Sequence, residues 1–145
     1  MNYKSPNRNR TSPAEEISKE IEKYIESKSL KSLKEYPVRD LVKHAEKLGP
    51  VLRQQRLETN QIRKFLDAIN QLKARLITSS FNEIEADIIL LKPKLAYAAT
   101  RQNAVEPLKR VMTAAIEKTR DEHDFKRLVQ LIESIIAYHK AAGGK

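Results

Sequence analysis

Lys94, Tyr97 and Arg101 follow one another at spacings of three and four residues in LKPKLAYAATR, Leu91 to Arg101, and no acid interrupts the stretch. At about 100° per residue, that spacing puts the three side chains on one stripe of a helix, while Ile84, Ile88, Leu91, Leu95 and Ala98 fall along another. The two cations can neutralise phosphates. A phenol ring beside them offers a platform for a base or a ribose, and together these are the means of a single-stranded nucleic-acid groove. Two plainer readings stand beside this one: three polar side chains solvating the outside of a helix, or a Tyr97 packed into the core. Further cations gather nearby in the sequence, with Lys92 in the same stretch, Arg63 and Lys64 in QIRKF, and Arg53 and Arg56 just before it.

The charge is unevenly spread. The chain of 145 residues carries a formal +9 and a pI near 9.8, which points to a polyanionic partner. Lys47 to Lys64 holds five bases against Glu58 alone, and Ile88 to Arg101 three bases against none. Asn103 to Lys145 is nearly balanced, at eight against six, so the excess sits mid-chain. There is no cysteine, hence no disulfide framework, thiolate metal site or cysteine nucleophile. His44, His123 and His139 are not spaced as ligands. His139 lies in register with Phe125, Ile132 and Ile136, which predicts a packed core histidine. Glu83 and Asp87 are i, i+4 neighbours on what reads as a solvated face. With no Walker loop, dinucleotide fingerprint or nucleophile elbow, no enzyme, metal or cofactor is expected. The longest apolar run, Ile88 to Leu91, is far below the roughly 18 residues of a membrane span, and no signal peptide is visible. A soluble, cytoplasmic protein is therefore expected.

These side chains need helices to hold them. Met1 to Pro13 is polar, with three bases, no acids and two prolines, and reads as a disordered basic tail. Residues 14–37 read as a helix with a narrow stripe (Ile17, Ile21, Tyr24), which can dock, pair with a partner or stay partly formed, followed by a linker. From residue 38 to 145 the pattern predicts a helical-bundle domain. Val38, Leu41, Val42, Ala45 and Leu48 mark a helix stopped by Gly49 and Pro50, then a loop with Arg53 and Arg56. Thr59 is the expected cap of a helix burying Ile62, Phe65, Leu66, Ile69, Leu72 and Leu76. Thr78 to Ser80 cap the helix that reaches Pro93, where it must kink or restart. Asn103 is the expected cap of the next helix, which carries Val105, Leu108, Met112, Ala115, Ile116 and Thr119 inward, and Asp121 opens the last, from Phe125 to His139. No strand alternation is visible. The fold class is all-α, a compact bundle of about five helices plus an N-terminal amphipathic helix. A helix-turn-helix DNA reader fits poorly, because Leu48 and Thr59 are too far apart in sequence for its short turn.

Three segments, TNQIRKFLDAIN from Thr59, LKPKLAYAATR from Leu91 and FKRLVQLIESIIAYHK from Phe125, resemble in order and spacing the small, all-helical subunit of the type III-A CRISPR-Cas effector, the Csm complex. The resemblance covers roughly Val38 to Ala142 and departs at Thr100 and Ser134, where the family often has glycine or alanine. It implies a non-catalytic subunit that stacks head to tail in several copies within a ribonucleoprotein, beside the other subunits, with a basic face along guide RNA and target RNA. Cleavage and cyclic oligoadenylate synthesis belong to other subunits of that complex. Carried over residue by residue, the RNA-binding positions are Arg63, Lys64, Lys92, Lys94, Tyr97 and Arg101; Arg53 and Arg56 join them on charge alone. Phosphate contacts without base reading are expected, since guide complexes delegate sequence recognition to base pairing. The alternative function is a helical-bundle protein–protein interaction module that binds no nucleic acid.

Overall fold

The computed structural model describes residues 12–143; the expected tail up to Thr11, like Gly144 and Lys145, lies outside them, while its last two residues, Ser12 and Pro13, belong to the start of a helix. Among the described residues there are seven α-helices and no strand. Helix α1 (Pro13–Glu26) starts where the Ser12 hydroxyl oxygen accepts from the Glu15 backbone N–H at 3.1 Å, with Pro13 in the first turn. It buries Ala14, Ser18, Ile21 and Ile25, a strict 4-3-4 spacing, against α6 and α2, so of the three fates open to it in sequence it takes docking. The segment after it is tied down through its backbone. The Leu33 N–H donates to the Lys118 carbonyl at 3.0 Å and the Lys34 N–H to Asp124 Oδ1 at 2.7 Å. Lys118 Nζ donates to the Ser27 and Leu30 carbonyls, and Arg127 to that of Tyr36. Asp124, fully buried, also accepts from the Arg120 N–H at 2.9 Å, which accounts for a carboxylate in the interior.

Helix α2 (Val38–Gln54) runs straight through Gly49 and Pro50, where a stop was expected. The reason lies in its partner. A Cβ on Gly49 would stand 2.6 Å from the His139 backbone nitrogen and 2.6 Å from the Tyr138 Cβ, so this glycine is where α2 and α7 (Glu122–Ala141) approach backbone to backbone. Lacking a Cβ, it also escapes the clash that a residue before proline suffers in helical conformation. The carbonyl that Pro50 leaves unbonded, at Glu46, belongs to an exposed residue and can be solvated. The buried face is accordingly Leu41, Ala45, Leu48, Gly49 and Leu52, while Val38 and Val42, expected inside, are exposed.

Helix α2 ends in a Schellman motif: the Leu57 N–H returns to the Leu52 carbonyl at 3.0 Å and the Arg56 N–H to that of Arg53 at 2.9 Å. Arg56 takes the left-handed position at φ 69°, where glycine is the usual occupant. The next helix then opens later than expected. Glu58, not Thr59, forms the capping box with Gln61, a 3₁₀ turn covers Thr59–Gln61, and α3 (Arg63–Arg75) follows, burying Phe65, Ile69 and Leu72. Helix α4 (Phe81–Ile89) is capped by the Ser80–Glu83 box. At Leu90 the chain breaks and α5 (Leu91–Arg101) restarts with Pro93 in its first turn, the second of the two outcomes that the proline allowed. The buried stripe is therefore Ile84, Ile88, Leu91, Leu95 and Ala99, the last shifted one residue from the expected Ala98. Helix α6 (Glu106–Glu117), entered through a 3₁₀ turn at Asn103–Val105, is the most enclosed, adding Val111 and Ala114 to the inward set that the sequence indicated. Helix α7 is capped by Asp121 and carries His139 into the core, fully buried.

Candidate nucleic-acid interface

Helix α5 is narrow in what it buries and open in what it shows. With Leu91, Leu95 and Ala99 inward, the helical period turns Lys94, Tyr97 and Arg101 outward, and all three are exposed. Tyr97 keeps 64% of its surface, so it is not a core tyrosine. Arg101 donates to the Tyr97 hydroxyl oxygen at 3.1 Å, and its guanidinium carbon stands 5.7 Å from the ring centroid. That is near the outer limit of a cation–π contact, so the arginine steadies the phenol end and leaves most of the ring bare.

Facing this stripe is the start of α3. Between the two runs a groove of about 460 Å³, with Lys64 on one wall and Lys94, Tyr97 and Arg101 on the other. Its floor is Ile62, Phe65 and Ala98, and one end is closed by three carboxamides, Asn60, Gln61 and Gln102. No carboxylate lines it. Among the described residues, neither Lys64, Lys94 nor Arg101 has an acid within ion-pair distance, so the three positive charges are uncompensated. The Gln61 amide accepts from the Glu58 N–H at 2.9 Å and donates to Gln102 Oε1 at 3.3 Å, pinning the two walls together at that end. Behind it, buried His139 donates through Nε2 to the Leu57 carbonyl, so α7 fixes the strand of chain from which the groove wall begins. On the outer side the Arg75–Asp87 pair, 2.7 Å, locks α4 to α3.

The remaining expected residues are placed elsewhere. Arg63 is exposed at the first position of α3, next to the groove wall but not lining it. Lys92 is ion-paired with Glu117, which offsets its charge. Arg53 Nε donates to the Gly143 carbonyl at 2.8 Å, and Arg53 and Arg56 share a separate hollow of about 230 Å³ with Glu58. Asn60, Gln61 and Gln102 were not among the expected site residues; uncharged amides carry no signal in a charge pattern. A larger groove of about 520 Å³ lies between the end of α3 and α7, beside Ile77, which is 84% exposed. It holds none of the expected residues and its charges are mixed, with Lys73 paired to Glu133 at 2.9 Å.

No group of metal-ligating side chains occurs among the described residues, and no helix there is long and apolar enough to cross a membrane. The model of the family described as Csm2 Type III-A matches residues 35–145. The CRISPR system Cms protein Csm2 of Streptococcus thermophilus is 33% identical over 91 residues, which span 61% of this chain and 75% of that protein. No solved structure matches the chain.

Proposed function

The chain belongs to the type III-A Csm2 family, a subunit of the multi-subunit Csm effector complex, and from that premise we propose that it is a non-catalytic RNA-binding subunit whose groove follows a single strand of guide or target RNA. The observation that carries this is the carboxylate-free groove that gathers Lys64, Lys94, Tyr97 and Arg101 from two helices. A fold that needed these charges only for solubility would gain nothing by gathering them into one concave surface, where mutual repulsion costs stability. The larger groove at Ile77 shows the contrasting case, its cations already matched by acids. Within the complex, copies of the chain stack along the RNA, so that the grooves of successive copies hold successive stretches of the same strand. The contacts are chiefly with phosphates, and sequence is read by base pairing between the RNA strands.

Fluorescence anisotropy of labelled single-stranded RNA across a salt series tests this. Wild-type binding weakens steeply with salt, and Lys94→Glu with Arg101→Glu removes it; each lost phosphate contact lowers the slope for a single strand by about 0.7. Unchanged affinity and slope in the double variant sink the assignment.

A further inference from the structure

Phosphate contact needs only cations, yet this groove holds more than cations. Its floor is apolar, at Ile62, Phe65 and Ala98, and its rim carries an aromatic ring with most of its surface bare. A phosphate has no use for either. A base does, since its faces are apolar and its edges are hydrogen-bonding. The closed end of the groove is lined by carboxamides; Gln61 is engaged with Glu58 and Gln102, which leaves Asn60 and the Gln102 N–H groups to meet the edge of a base.

We infer that the groove seats one unstacked nucleotide of the single strand, with its base against Tyr97 over the apolar floor and its flanking phosphates on Lys64 and Lys94. This rests on the RNA-binding reading above and adds base contact to it. Lys64 and Lys94 stand on opposite walls, which suits a strand crossing the groove with its two phosphates outside and its base inside. Arg101 holds the ring by its hydroxyl, so the platform is set before the base arrives and little side-chain freedom is lost on binding. Because every base has a π-face, such a seat is tolerant of sequence. It also selects against a duplex, whose bases are stacked and unavailable.

The groove is built by one chain, so the isolated protein suffices for the test. Three probes of equal length and charge are titrated: single-stranded RNA, an abasic oligomer with the same sugar–phosphate backbone, and poly-glutamate. RNA is expected to bind about tenfold more tightly than the abasic oligomer. Tyr97→Ala erases that difference without changing the salt slope, and Tyr97→Phe, which keeps the ring and loses only the Arg101 contact, retains most of it. Tyr97 is exposed, so neither change threatens the fold. Equal affinity for RNA and the abasic oligomer, with a salt slope that Lys94→Glu reduces, overturns the base seat and leaves the RNA-binding function standing. Poly-glutamate binding as tightly as RNA overturns the seat in favour of an acidic peptide. No binding of any probe overturns both readings.

Discussion

Gly49→Ala sets two effects of opposite sign against each other. Taken alone, α2 gains about 1 kcal/mol from replacing a glycine in a helix interior by the best helix former. The added methyl, however, would lie 2.6 Å from the His139 nitrogen, 2.6 Å from the Tyr138 Cβ and 2.8 Å from the Tyr138 carbonyl carbon. Two of these three atoms belong to the backbone of α7, which cannot swing aside as a side-chain tip can. The helices must separate along their seam, and overpacking of this kind costs about 3 kcal/mol at the upper end of its range. The new Cβ also meets the Pro50 ring in helical conformation. The net expectation is a loss of about 2 kcal/mol, or about 7 °C in Tm for a chain of this size. The damage should reach the groove, since His139, next to the clash, holds the Leu57 carbonyl just before the Glu58–Gln61 capping box. Differential scanning fluorimetry and the RNA titration read both effects. A variant that melts higher than wild type refutes the close approach and restores Gly49 to the helix stop that its sequence context suggested.

Arg56→Gly is expected to stabilise by about 0.5–1 kcal/mol, by relieving the left-handed backbone at the Schellman position, and a urea midpoint that falls would contradict this. His44 titrates below its ordinary value because burial disfavours the cation, and its Nδ1 shares a hydrogen bond with the Tyr36 hydroxyl. The unfolded chain then binds the proton first, so stability is full above about pH 6.5 and declines as pH falls through it. His44→Gln should flatten the fall in Tm between pH 7.5 and 5, and identical slopes in the two proteins would exclude His44 as the cause. Lys92→Ala should leave the RNA salt slope unchanged because Glu117 already engages that ammonium, whereas Lys94→Ala lowers it by about 0.7; equal losses in both would mean the Lys92–Glu117 pair opens to RNA.

What sequence could show here was whatever one helix decides by itself. The outward stripe of Lys94, Tyr97 and Arg101 follows from helical period and the burial of Leu91 and Leu95, and an interruption near Pro93 follows from a missing N–H, though not the choice of a restart over a kink. What it could not show needed a second element. Gly49 and Pro50 spell a stop unless α7 lies against them, and nothing near Leu48 announces residues 138 and 139. Residues 27–37 have a linker's composition, yet their backbone groups are held by Lys118, Asp124 and Arg127, whose side chains look like ordinary surface charges in a string of letters. In the site, Lys64 and Lys94 could be nominated separately, but their meeting across one groove is a tertiary fact. Lys92 shows the reverse: on charge it equals Lys94, and a glutamate 25 positions along the chain sets it apart.

The ties across the N-terminal segment also order events during synthesis. Lys34 waits for Asp124 and Tyr36 for Arg127, partners about 90 positions downstream. At roughly 5–20 residues per second, α1 and the segment behind it emerge roughly 5–20 s before α6 and α7 exist for them to dock on, while α2 follows much sooner. For that interval the apolar stripe of Ile21 and Ile25 lacks the α6 side of its packing. The charges flanking them have two uses in turn: they oppose adhesion of the nascent helix to its neighbours, and once α2 and α6 are in place Glu20 pairs with Lys47 at 3.2 Å and Glu22 with Arg110 at 3.9 Å.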